Sequence, residues 1–94
     1  MSVPESIPIG LKRAAIALAE HLNYARAAEQ LNLSSAELRK QISALQTLLC
    51  IRIFKPRQKK VVPTEEGQFL IKVFREAVAF YERKEKEGHT GPDR

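Results

Sequence analysis

Between Glu37 and Glu65 the chain places Arg39, Lys40, Arg52, Lys55, Arg57, Lys59 and Lys60, with no acidic residue among them. Such a run does electrostatic chemistry. Lysine and arginine heads displace the counterions condensed on a phosphate backbone, and an arginine guanidinium also bonds two acceptors at once, as on the edge of a guanine. Over the whole chain 16 Lys and Arg face 11 Asp and Glu, a formal net charge of +5. Glu20, Glu29 and the acids after Thr64 balance the cations outside the run, so the positive charge is concentrated. A polyanionic partner follows, with double-stranded DNA foremost and a merely solvated basic face as the bland alternative.

Other chemistries lack their residues. Cys50 is the only cysteine, which excludes an intramolecular disulfide, a cysteine-based zinc site and a redox pair. His21 and His89 lie far apart, with no acid or thiol spaced to complete a metal site, so neither a metal nor a cofactor is expected. Ser34 and Ser35 have no readable base and orienting acid, and the chain is read as a non-enzyme. Met1 to Gly10 lacks the basic start and apolar run of a signal peptide. Charges interrupt every apolar stretch well before the roughly 20 residues that span a bilayer. The expectation is a soluble, cytoplasmic protein with no membrane partner and no small-molecule site. With 94 residues, 44% of them hydrophobic, it has room for one domain with one core.

The elements that must position the cations are legible from periodicity. After an irregular lead over residues 1–8, Leu11, Ala14, Ala15, Leu18, Ala19 and Leu22 recur at spacings of three and four, predicting a first helix from Ile9 to Leu22. Asn23 is a cap for a second helix, whose buried face is Ala27, Ala28 and Leu31, and Asn32 suits its left-handed stop. Ser34-Ser35-Ala36-Glu37 is a capping box that opens a third helix. Leu38, Ile42, Leu45 and Leu49 make the apolar stripe of that helix, while Arg39, Lys40, Ser43 and Gln46 lie away from it. From Cys50 to Pro63 the alternation of Ile51, Arg52 and Ile53, and then Val61, predicts two short strands joined by a basic loop. Thr64 caps a fourth helix with Glu65 and Glu66 in its first turn, expected to run to Lys86. Residues 87–94 have no apolar period and are expected to form a disordered tail.

Two short helices joined by a tight turn, Tyr24 to Leu31 and Ser35 to Leu49, are the arrangement that presents a second helix to the major groove. From Ala15 to about Gly67 the chain resembles, without a gap, the N-terminal DNA-binding domain of LysR-type transcriptional regulators. The resemblance rests on Asn23-Tyr24-Ala25-Arg26-Ala27-Ala28 at the second helix and Leu31-Asn32-Leu33-Ser34 at the turn. Leu38, Gln41-Ile42, Leu45, Leu49, Arg52 and Ile53-Phe54 continue it, and Thr64-Glu65-Glu66-Gly67 resembles the Thr-Glu-x-Gly that opens the family's linker helix. It implies a mainly α fold: a winged helix-turn-helix over residues 9–63, with a three-helix core and a two-stranded wing, followed by a linker and dimerisation helix over 64–86. A molybdate-sensor type of winged helix is a second, similar class. A helical module that binds protein is the rival from outside DNA recognition, and its sign would be an exposed apolar groove in place of a basic face.

The resemblance implies base or nearby phosphate contacts for Ser35, Ala36, Arg39, Lys40 and Ser43, with Arg39 the guanine reader. Asn23, Ala25 and Arg26 stand at the start of the second helix, where free N–H groups and the helix dipole favour a phosphate. For Arg26 a plain solvated arginine is an equal alternative. Arg57, Lys59 and Lys60 form the wing tip, on phosphate or in a narrow minor groove. Tyr24 falls at a packing position and is expected as a core aromatic, as is Phe54. The family commonly has Gln-Pro-Ala where this chain has Ser35-Ala36-Glu37, a serine in place of Arg39 and a glycine in place of Cys50. The DNA preference is therefore expected to differ from that of typical relatives.

On the fourth helix Leu70, Phe74, Ala77, Val78 and Tyr81 share one face, and Phe69, Val73 and Phe80 a neighbouring one. The combined arc exceeds the stripe of about 100 degrees that packing on one small domain requires. The resemblance implies antiparallel pairing of this helix in a homodimer, with Phe69, Val73 and Phe80 as the dimerisation residues; the alternative is that the whole arc lies against the first helix and the wing within one chain.

Overall fold

The computed structural model describes the backbone of residues 7–90 and the side chains of residues 7–84. Its elements run α1 (Ile9–His21), α2 (Tyr24–Leu31), α3 (Ser35–Leu49), β1 (Phe54–Arg57), β2 (Lys60–Pro63) and α4 (Glu65–Thr90). Each of the first three helices ends on a residue in the left-handed region, Leu22, Asn32 and Cys50. That conformation reverses the chain within a residue or two, so α2 and α3 follow without a loop long enough to wander. The Asn23 side chain caps α2 by accepting from the Arg26 N–H at 2.9 Å. The capping box of α3 forms in both directions, Glu37 N–H to Ser34 Oγ at 3.0 Å and Ser34 N–H to Glu37 Oε1 at 2.9 Å. Leu22, expected as the last helical residue of α1, instead donates its N–H to the Leu18 carbonyl as the left-handed cap.

The core lies where all the helices meet. Ala14, Ala15, Ala17 and Leu18 of α1 face Ala27 and Ala28 of α2, and these small side chains allow a close approach. Leu38, Ile42, Leu45 and Leu49 of α3 pack beneath them, as their spacing predicts. Leu70, Ile71 and Phe74 of α4 complete the same cluster, and Phe74 is the largest fully buried side chain. Helix α4 thus supplies one wall of the core through Leu70, Ile71 and Phe74. Two ion pairs brace this wall against α1, Arg13–Glu82 at 3.0 Å and Arg75–Glu20 at 2.9 Å.

Strand β1 starts at Phe54, later than the alternation of Ile51, Arg52 and Ile53 predicts. The backbone groups of these residues are committed elsewhere. The Ile53 N–H donates to Gln46 Oε1 at 2.8 Å, and the Ile53 carbonyl accepts from the Thr64 N–H at 2.8 Å. The hairpin pairs antiparallel, Phe54 with Pro63 through Arg57 with Lys60. Its two prolines are tolerated because in a two-stranded sheet both strands are edges.

Helix α4 runs four residues past the expected end at Lys86. Gly88 costs only about 1 kcal/mol in a helix interior, which a helix already propagating absorbs. Of the expected tail, residues 87–90 are thus helical, and 91–94 lie outside the described residues, as do residues 1–6 of the expected lead. Ile7, also within that lead, is buried in the core.

Candidate nucleic-acid interface

Three elements converge on one concave surface. The start of α2 brings Asn23, Tyr24 and Ala25, the start of α3 brings Ser35 and Arg39, and the wing brings Gln58, Lys59, Lys60 and Val61. Together with Leu22 they line an open cleft of about 380 Å³. Six of the sequence-predicted contact residues, Asn23, Ala25, Ser35, Arg39, Lys59 and Lys60, are thereby gathered in one place, although 37 positions separate the first from the last. Neither of the ion pairs among the described residues uses any cation of the acid-free run. Among the described residues these cations have no carboxylate partner, as a surface for a polyanion requires.

Each side chain reaches its place for a local reason. The wing turns through Gln58 and Lys59, with Gln58 at φ 57, the positive sign that a two-residue hairpin needs at its first central position. This tight turn sets Lys59 and Lys60 at the cleft rim. At the other end of the hairpin, Thr64 is a knot. Its hydroxyl donates to the Arg52 carbonyl at 2.6 Å and accepts from the Gly67 N–H at 3.0 Å, capping α4 while tying it to the segment before β1. A Cβ on Gly67 would stand 2.1 Å from the Ile53 carbonyl oxygen, so only glycine lets the helix approach this closely.

The structure distributes the other predicted residues differently. Ala36, Lys40 and Ser43 are exposed along α3 outside the cleft, with Ser43 beside Gln46, Thr47, Cys50, Ile51 and Arg52. Arg26 is exposed next to His21, Glu29 and Gln30, away from the cleft, although its N–H belongs to the α2 cap. Arg57 is exposed on β1 opposite Lys60 and does not line the cleft.

Two expectations change on contact with the geometry. Gln46 is not free on the open face of α3, because its Oε1 accepts from both Ile53 and Phe54 N–H groups, at 2.8 and 3.0 Å, and so moors the wing to the helix. Tyr24 is not a buried core aromatic. It is half-buried, packs against the edge of the core, and carries the Arg39 guanidinium over its ring, with Cζ 4.2 Å from the centroid. Phe54 is buried as expected. Sequence reading missed Gln58 as a cleft residue, and the only available signal was its place in a two-residue turn between basic neighbours. Among the described residues no group of three or more His, Cys, Asp or Glu side chains could hold a metal ion, and no helix is long and apolar enough to cross a membrane.

Helix α4 carries the second notable surface. Leu70, Ile71, Phe74 and Val78 are buried, and Val73 and Ala77 are half-buried. Phe69 and Phe80 are 66% and 56% exposed, and Tyr81, expected on the core face, is 45% exposed although its neighbour Glu82 still reaches Arg13 of α1.

Three helices with a tight turn between the second and third, followed by a two-stranded hairpin that Gln46 tethers to the third, define a winged helix-turn-helix protein. Residues 11–68 match the family of bacterial regulatory helix-turn-helix proteins, lysR family, and the chain belongs to that family. It is 38% identical over 61 residues to the glycine cleavage system transcriptional activator of Escherichia coli strain K12, covering 65% of this chain and 20% of that protein. It is 30% identical over 85 residues to the carbapenem-hydrolyzing beta-lactamase transcriptional activator of Serratia marcescens, covering 90% of this chain and 29% of that one. The chain thus spans between a fifth and a third of the curated relatives it matches. Among solved structures, the fold matches the CbnR DNA-binding domain in complex with DNA, with a TM-score of 0.83, 22% identity and coverage of 88% of this chain and 95% of that one. It also matches an OxyR C206 mutant of Corynebacterium glutamicum, with a TM-score of 0.86, 21% identity and coverage of 90% and 27%.

Proposed function

We propose that this chain is the duplex-reading part of a transcriptional regulator, acting as a homodimer in the cytoplasm, with no catalytic step of its own. The observation that carries the reading is the cleft between α2, α3 and the wing, lined by basic and small polar groups whose cations have no carboxylate partner among the described residues. An α-helix fits the major groove, and the exposed side of α3 with Ser35, Ala36, Arg39, Lys40 and Ser43 is the surface it would insert. Asn23 and Ala25 at the α2 start, with Arg26 beside them, and Arg57, Lys59 and Lys60 on the wing would flank it on phosphate. The curated relatives are transcriptional activators, and the CbnR neighbour is a complex with DNA, both in keeping with this reading.

The homodimer reading rests on Phe69, Val73 and Phe80. Phe69 and Phe80 are largely exposed and Val73 is half-buried beside them, an apolar surface of the kind that a partner covers, and a two-fold pair of α4 helices would set two α3 helices on successive half-sites.

Binding to random duplex DNA at increasing salt tests the first reading. Affinity is expected to fall steeply with salt. The double variant Lys59→Ala, Lys60→Ala should weaken binding uniformly across sequences and flatten the log–log slope by about 2, close to one for each phosphate that is no longer neutralised. A slope equal to that of the wild type removes the wing from the phosphates, and no binding at low salt removes the reading altogether. Sedimentation tests the dimer: the wild type should sediment as a dimer and Val73→Glu, Phe80→Glu as a monomer. A wild-type monomer at concentrations well above those that bind DNA would sink it.

A further inference from the structure

Arg39 is the fifth residue of α3, and Tyr24 is the first of α2. Their contact, guanidinium over ring at 4.2 Å, therefore crosses the turn between the two helices. The donors of Arg39 have no hydrogen-bond or ion-pair partner among the described residues, and the side chain lines the cleft. Glu37, the only acid on α3, is occupied by the capping box through the Ser34 N–H. Arg39 is thus restrained by a contact that consumes none of its hydrogen-bonding capacity, a combination that an ion pair with a carboxylate could not give.

We infer that Tyr24 is a positioning residue for sequence recognition, holding the Arg39 fork ready for a bidentate acceptor before DNA arrives. The inference rests on the DNA-reading function proposed above and adds to it a residue that touches no base itself. A long exposed arginine ordinarily samples many rotamers and must be immobilised at the moment of binding, at a cost to affinity for the correct site. A ring placed beneath the guanidinium fixes its position in advance, so the penalty for a base that cannot accept two hydrogen bonds is felt in full. The ring can do so because Tyr24 is itself anchored, half-buried against the core next to the Asn23 cap. The phenolic hydroxyl plays no part, and a phenyl ring serves equally.

The test uses the full chain and the duplex it prefers from a randomised pool, with each base pair of the site then varied. For the wild type, one position is expected to lose discrimination on Arg39→Ala. Tyr24→Leu should lower discrimination at that same position by about two- to fivefold, the scale of an exposed cation–π contact, and leave the other positions unchanged. Tyr24→Phe should retain the wild-type value. In an Arg39→Ala background, Tyr24→Leu should have no further effect on discrimination. Undiminished discrimination in Tyr24→Leu, or an equal loss at every position, overturns the positioning role while leaving DNA binding intact. A wild type that binds no duplex overturns the functional reading itself. Because Tyr24 also packs on the core, the free wild-type protein supplies a readout that needs no variant. The Arg39 Nε–H should show restricted motion in NMR relaxation and its side-chain protons ring-current shifts. An Arg39 as mobile as the other exposed arginines overturns the inference.

Discussion

Leu22, Asn32, Cys50 and Gln58 all hold positive φ between 56° and 60°, and none is glycine. For an L-residue other than Asn this region costs about 1–2 kcal/mol. Asn32 bears it most easily, since its side chain is short and polar. Cys50 is exposed, so replacing it removes strain without opening a cavity. Cys50→Gly is expected to stabilise the fold by about 0.5–1 kcal/mol, the added flexibility of the unfolded chain offsetting part of the relief. Thermal melting at fixed protein concentration checks this, and an unchanged or lower Tm would mean the strain is absorbed elsewhere. Gly67 is the converse case. Gly67→Ala pushes a methyl group into the Ile53 carbonyl, and the backbone on one side must give. A loss of about 1–3 kcal/mol is expected, as for an overpacked interior, with the wing displaced along with the helix start. At this scale the sequence was partly legible. The capping box and the Asn23 cap are read from a few adjacent letters, because their partners are three residues away. The Gln46 and Thr64 contacts could not be, since they join residues whose meeting depends on where the wing folds back.

Among the elements, α2 is the one that depends most on its cap. Eight residues are too few to form a stable helix alone, and only Ala27 and Ala28 are buried on it. Asn23→Ala removes the acceptor for the Arg26 N–H and is expected to cost about 1 kcal/mol, read as a lower denaturant midpoint with an unchanged m-value. A larger effect on DNA affinity than on stability would follow if α2 is placed on phosphate as proposed. The α4 periodicity separated Leu70, Phe74 and Val78 from the exposed Phe69 and Phe80, because a 3.6-residue repeat encodes faces directly, whereas Val73, set with the two phenylalanines, is half-buried. It failed for Tyr81, which shares the inner face yet emerges from it. Periodicity states which residues align along a helix and not which of them a neighbouring element covers. The same limit explains the wing: alternation marks Ile51 and Ile53 as strand-like, but ladder pairing begins only where a partner backbone is present.

For the molecule as a whole, the distribution of charge and the motif were legible from the chain, whereas the convergence of α2, α3 and the wing into one cleft was not, since it requires the hairpin turn at Gln58. Leu70, Ile71 and Phe74 share a core with α1, and the pairs Arg13–Glu82 and Arg75–Glu20 join residues far apart in the chain. These exposed pairs contribute little on their own, but the apolar contacts beneath them do not. A chain cut after Pro63 is expected to lose cooperative unfolding, and Phe74→Ala in the full chain to cost about 3–5 kcal/mol. A sharp melting transition in the truncated chain would show that the first three helices suffice. If they do not, the packing of α1 on α4 has a consequence in time. On the ribosome, at about 5–20 residues per second, α1 is made seconds before the helix that covers it. During that interval its alanine and leucine face is open to any apolar surface in reach, and a pause in synthesis between the two would lengthen the exposure. Correct assembly of this domain then depends on how quickly α4 follows α1.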